Sequence, residues 1–260
     1  MLVRDAGDAW QIVLQTDHAH LAGQLADAWG NAAFGRPQPY DPLVRAAARH
    51  DDGWAVWERW PRLAGDGPQS FFTVPPAVHL AFYRAGVEVV QDEDPHAALL
   101  VSMHMSGLYR GRYGVMPSPA RELDPETQRR VDAFVAEGEA RQAVLRRTLG
   151  VDEAQQWTSY ALLQVLDVVS LYFGLADVEA GVAGACEGVP TLDGADPVRI
   201  AIEPVGPWRV RFDPYPFAED PVAFALRRRL VPKRDWLDDD AFRADFDAAP
   251  VEIVRILAER

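Results

Sequence analysis

A single cysteine, Cys186, among 260 residues excludes an intrachain disulfide and a cysteine-rich zinc site, as fits a reducing compartment. Positive charge is short as well: 26 Lys and Arg stand against 39 Asp and Glu, a net charge of −13. The mean field repels a phosphate backbone, so nucleic acid is not an expected partner. The N-terminal stretch MLVRDAGDAW carries charge where a signal peptide has an apolar core, so a cytoplasmic protein is expected. No repeat, low-complexity tract or obvious linker divides the chain. A clean membrane span is missing too. Trp157 to Ala176 has the length, but it contains Thr158, Ser159, Gln164, Asp167 and Ser170, and one aspartate at mid-membrane costs roughly 2.5–3.5 kcal/mol. A helix buried in a core is expected there, with no membrane partner.

What is present suits a globular protein with a substantial core: 48% hydrophobic and 25% charged residues. Leu2-Val3-Arg4 and Trp10 to Leu14 flank Gly7 and Asp8 as a short β-hairpin. Asp17 is the expected N-cap of a first helix running to about Phe34, and Pro42 opens a second that reaches Asp52. Trp60 to Pro76 reads as loop. Helices are expected over Pro76–Val90, Pro95–Tyr109, Pro125–Leu149 and Asp152–Ala176. Beyond them, Val198–Ile202 and Trp208–Phe212 alternate with period two around Pro204–Pro207 as a hairpin, followed by a strand at Val222–Val231 and a helix from Asp239. The expected fold is therefore mainly α, a single domain over residues 1–260 with a helical core at about 17–176 and a small β appendage with a C-terminal helix at about 190–260.

Four histidines and two aspartates fall in the order His18, His50-Asp51, His79, His104, Asp167. His18 shares a stripe with Leu21, Ala22, Leu25 and Trp29; His50 continues Leu43, Ala46 and Ala47; His104 lies with Ala97, Leu100, Val101 and Leu108. Asp167 is the lone charge of an apolar helix, and a buried carboxylate needs a cation; a metal serves, as would an arginine. His79, near Phe82, Tyr83 and Gly86, has the weakest case for ligation. His20, facing Gln24, Asp27 and Asn31, and His96, at a helix start, read as solvated. Mixed imidazole and carboxylate donors suit first-row transition metals. Six such residues exceed the needs of one tetrahedral ion and Asp51 can bridge, so two divalent ions are expected, iron first, with manganese or zinc as alternatives.

The set formed by His18, the His50-Asp51 pair and the distal Asp167 resembles the hallmark of the HD superfamily, a helical bundle. The two intervening histidines resemble its dinuclear branch, which includes cyclic-dinucleotide phosphodiesterases and mixed-valent di-iron oxygenases. That resemblance implies a first ion on His18, His50, Asp51 and Asp167, a second on Asp51, His79 and His104, and a phosphohydrolase-like enzyme acting on a small molecule, with a di-iron oxygenase or a non-catalytic metal-binding protein as the other readings. Asp51 and Asp52 are the expected catalytic carboxylates. Trp54 and Trp57 are expected to form either an aromatic wall for substrate over the metals or a core contact of the second helix, and Tyr109 and Arg110, with Arg112, an anchor for an anionic group; a homodimer is compatible with all of this. Many members of that superfamily carry a lysine where this chain has Trp54. The strings Asp17-His-Ala-His-Leu-Ala-Gly, His50-Asp-Asp-Gly-Trp, Ser102-Met-His, Gln164 to Tyr172 and Asp213-Pro-Tyr-Pro-Phe217 are similar, over nearly the whole chain, to the bacterial family named domain of unknown function 3891.

Overall fold

Helix starts in this chain are set by local chemistry. Asp94, Asp124, Asp152 and Asp238 each accept hydrogen bonds from N–H groups of the turn that follows, satisfying donors with no intrahelical partner and placing negative charge at the positive end of the helix dipole. The computed structural model describes residues 1–118, 122–192 and 196–260. Its helices are α1 (Gln15–Ala28), α2 (Tyr40–Arg49), α3 (Ala55–Glu58), α4 (Pro76–Glu93), α5 (Pro95–Gly107), α6 (Pro125–Leu149), α7 (Glu153–Leu175) and α8 (Asp239–Ala248). The expected helices from Pro76, Pro95, Pro125 and Asp152 correspond to α4 through α7. The first differs: it begins at Gln15, whose N–H donates to the buried Glu58 carboxylate at 2.8 Å. Glu58, from across the fold, thus takes the capping role expected of Asp17.

The strands overturn the mainly-α expectation. They are β1 (Leu2–Asp5), β2 (Ala9–Val13), β3 (Leu63–Ala64), β4 (Gly67–Pro68), β5 (Gly184–Val189), β6 (Val198–Gly206), β7 (Arg209–Asp213), β8 (Val222–Pro232) and β9 (Glu252–Glu259). Seven join one mixed sheet in the order β1-β2-β8-β9-β7-β6-β5, and β3 pairs with β4 separately. The fold is therefore not an HD-like, all-helical bundle with a small appendage, because the N-terminal hairpin and the C-terminal hairpin belong to one sheet. Two facts create it. β2 pairs antiparallel with β8 across more than two hundred residues of sequence, and β9 inserts between β8 and β7, antiparallel to one and parallel to the other. Period-two alternation reveals individual strands but not distant partners, and a parallel pair has no hairpin turn to announce it.

One face of the sheet packs on α1 and α7, so that Leu2, Ile202, Phe212, Phe224 and Ile256 share a core with Leu21, Leu25 and Phe173. Neighbouring residues in a strand face opposite ways. Ile12, beside Val13, therefore joins a smaller cluster with Val231, Phe242 and Phe246, which α8 covers. By length and composition α7 is apolar enough to cross a membrane, yet 67% of its apolar window is buried inside the protein, against α1, α2, α5 and the sheet.

Candidate metal centre

The helices α1, α2, α5 and α7 pack on one another and each directs a polar side chain inward. Two close approaches set the distances. A Cβ on Gly23 would lie 2.6 Å from the Cβ of Ala48, so glycine lets α1 and α2 meet tightly. A Cβ on Gly53 would lie 2.0 Å from the carbonyl oxygen of Phe82, so only glycine allows the turn after Asp51 to press on α4. Between them the chain leaves α2 at His50, and Asp51 adopts φ −111°, ψ 18°, the sparsely populated bridge region where many active-site residues sit. That break overcomes the 100° divergence of adjacent helical residues and lets His50 and Asp51 serve one centre.

His18, His50, Asp51, His104 and Asp167 are all buried. Their donor atoms form two overlapping groups, His18 with His50 and Asp51, and His50 with His104 and Asp167, each with its donors within 4.8 Å of one another. His18 Nε2 lies 3.0 Å from Asp51 Oδ2. His50 Nε2 lies 3.5 Å from Asp167 Oδ1 and 3.8 Å from Asp51 Oδ2. Two donors each roughly 2.1 Å from one cation stand about 3.0–3.4 Å apart. The spacing fits a shared ion.

The hydrogen bonds behind the His18 and His50 rings set their tautomers. His50 Nδ1–H donates to the Ala47 carbonyl at 2.8 Å. Ser170 gives its one hydroxyl proton to the Asp167 carbonyl at 2.8 Å, so its oxygen accepts from His18 Nδ1–H at 2.9 Å. In both rings, when neutral, Nε2 is then a bare lone pair aimed at carboxylate oxygens, and His50 Nε2 has no hydrogen-bond partner. Such an arrangement needs a cation between the groups or a proton on the ring. With no ion the proton goes to His50: burial opposes its charge, but Asp51 and Asp167 outweigh that and carry the imidazole up to about 9. Burial likewise disfavours the charge of Asp167, yet His50, His104 and Arg112 hold it far below the usual carboxylate range. Asp51 is lowered despite burial by His50 and His18. At His104 burial wins and the imidazole falls to about 4.

Asp51, His104 and Asp167 of the centre line a cavity of about 480 Å³. Phe71, Phe72, Val74, Leu108, Leu123 and Leu171 make its apolar wall, and Asp51, His79, His104, Arg112, Glu122 and Asp167 its polar lining. Arg112 lies 3.5 Å from Asp167 Oδ2, so the arginine that also suits a buried aspartate is present.

The other candidates are placed elsewhere. His79 lines the cavity with its ring 4.8 Å from that of Trp54 and 5.8 Å from that of Tyr83, and joins neither donor group among the described residues. Asp52 pairs with Arg49 at 2.5 Å and does not line the cavity. Trp54 is buried against Phe71, Phe82 and Tyr83, and Trp57 packs on Phe82 beneath the Arg62 guanidinium. Tyr109 packs on Tyr83 and Phe134, and Arg110 pairs at the surface with Glu139. None of these four lines the cavity. Phe71 and Phe72, inside the stretch expected to be loop, supply the aromatic wall instead. Gln164 and Ser170, which orient His104 and His18, were legible only as polar breaks in an apolar helix.

The model of the family described as "Protein of unknown function (DUF3891)" matches residues 1–233, and the chain belongs to that family. No curated protein and no solved structure matches it. The matched region contains every residue of the centre and ends just after β8, so α8 and β9 lie beyond it.

Proposed function

We propose that this protein is a metal-dependent enzyme, a hydrolase of a small molecule, with one divalent transition-metal ion held by His18, His50, Asp51 and Asp167. The carrying observation is that two imidazoles, each tied at Nδ1, aim Nε2 at buried carboxylates, His18 at Asp51 and His50 at both Asp51 and Asp167. The order of these four along the chain, which resembles that of HD enzymes, supports the reading. Iron, manganese and zinc all suit the donor set. An ion there supplies Lewis acidity, making water acidic near neutral pH and polarising a carbonyl or ester oxygen. The protein's own groups bind and orient: Asp51 and Asp167 hold charge at the floor, and the phenylalanine wall excludes water from whatever apolar body lies against it. An open cavity beside the donors favours catalysis over a closed structural site.

The lining also speaks to the substrate. Three carboxylates, Asp51, Glu122 and Asp167, face one guanidinium that is already paired, and a divalent ion brings that balance to neutral. A substrate of low charge with an apolar or aromatic body matches this cavity better than a phosphate-rich one. The test is titration of metal-stripped protein with zinc, manganese and iron(II), followed by assays on apolar acyl esters and on a phosphate monoester. One ion per chain and metal-dependent ester turnover, absent in His50→Ala, are expected; no uptake of any of the three metals sinks the reading.

A further inference from the structure

We infer that Arg112 and Gln164 form a relay that holds His104 with its proton on Nε2, making this histidine a hydrogen-bond donor to the substrate and not a metal ligand. Arg112 Nη1–H donates to Gln164 Oε1 at 2.7 Å. A guanidinium only donates, so the amide oxygen must face it and the amide nitrogen must face the other way. That nitrogen stands 2.8 Å from His104 Nδ1, which therefore accepts. A neutral imidazole accepting at Nδ1 carries its hydrogen on Nε2. Flipping the amide sets two donors against each other at the Arg112 end.

His104 is thus wired in the opposite sense to His18 and His50. Ligation through Nε2 would require removing that hydrogen while Nδ1 still accepts, which leaves a ring with no proton at all. The backbone around Arg112 is built for the purpose. Gly111, Arg112, Tyr113 and Gly114 take φ of 56°, 51°, 51° and 76°, and two consecutive non-glycine residues in the left-handed region are strained, a state that persists where surrounding structure demands it. The strained turn delivers the guanidinium to Gln164 and Asp167, both on α7. His104 lines the cavity with Asp51 and Asp167, where an Nε2–H suits a substrate oxygen that gains negative charge during hydrolysis. The donor role rests on the proposed hydrolase reading; the tautomer does not.

Ring-nitrogen NMR of the full-length protein with labelled histidines, in metal-free and zinc-loaded forms, reads the proton position directly. Expected are Nε2–H for His104 in both forms, and His18 and His50 Nε2 signals that shift when zinc is added. Gln164→Glu places an acceptor against Nδ1 and keeps a partner for Arg112, so it should move the His104 proton to Nδ1. Gln164→Met, close in volume, removes the amide donor and should leave both tautomers populated. A wild-type His104 bearing its proton on Nδ1, or a proton that stays on Nε2 in both variants, overturns the relay. Loss of the Nε2 proton on adding zinc overturns the exclusion from the metal shell while leaving the metal reading intact. Failure of zinc to perturb any ring, with His104 still Nε2–H, removes the metal reading and leaves the relay standing.

Discussion

The two sides of the buried centre use the same side chain in opposite ways. On the side of α1 and α2, His18 and His50 each donate Nδ1–H to a fixed acceptor and turn Nε2 toward carboxylates. On the side of α5, His104 accepts at Nδ1 from an amide that an arginine has oriented. Histidine count alone says nothing about metal count, because the partner behind each ring decides whether it can ligate.

The largest test of this contrast is Asp167, which serves both sides. Asp167→Asn removes the counter-charge of the partly buried Arg112 and one proposed ligand of the ion. Thermal and denaturant unfolding should show a loss of roughly 3–5 kcal/mol, and metal affinity should drop by at least about 10-fold. A mutant that melts early with the wild-type metal load would mean that the aspartate serves Arg112 alone.

Next is the pair His50→Ala and His79→Ala. The first should abolish tight metal binding and the second should leave one ion per chain, by elemental analysis. Equal losses in both would restore a centre that extends to His79 and erase the asymmetry.

pH dependence of the metal-free protein sharpens the same comparison, because His50 and His104 shift in opposite directions. His50 is raised in the folded state, from the ordinary 6.5 to about 9, so its contribution is complete below 6.5 and is lost as pH rises through 9. His104 is lowered to about 4, so the unfolded chain takes up that proton first and stability falls as pH drops from 6.5 toward 4. Asp51 and Asp167, both lowered, add a further loss below their unfolded values. Stability should peak near pH 6.5 and decline by about 1.4 kcal/mol per pH unit on the alkaline side. Bound metal should flatten that alkaline limb, since it takes the place of the His50 proton; an unchanged limb argues that His50 does not ligate.

The smallest effect is expected at Asp52, whose pairing with Arg49 lies outside the cavity. Asp52→Asn should cost about 0–1 kcal/mol and leave metal binding and turnover as they were. A turnover defect without a stability change would return Asp52 to the catalytic role its position in the sequence suggested.

The stripes of His18, His50 and His104, the lone charge of Asp167 and the strand alternation after Val198 are local patterns. Local periodicity and burial cost determine them, so the sequence alone carried the helices α4 to α7 and singled out buried histidines and aspartates that the fold brings together. Tertiary structure decided the rest. Which wall is aromatic depended on Phe82, which takes up one face of Trp54 and Trp57 and leaves Phe71 and Phe72 to the cavity. The sheet depended on β2 finding β8 and on β9 entering between β8 and β7, pairings that no turn encodes. The opposite wiring of the histidines depended on Ala47, Ser170, Gln164 and Arg112. A proton's position on an imidazole is set by hydrogen bonds from residues distant in sequence, and those exist only once the chain has folded.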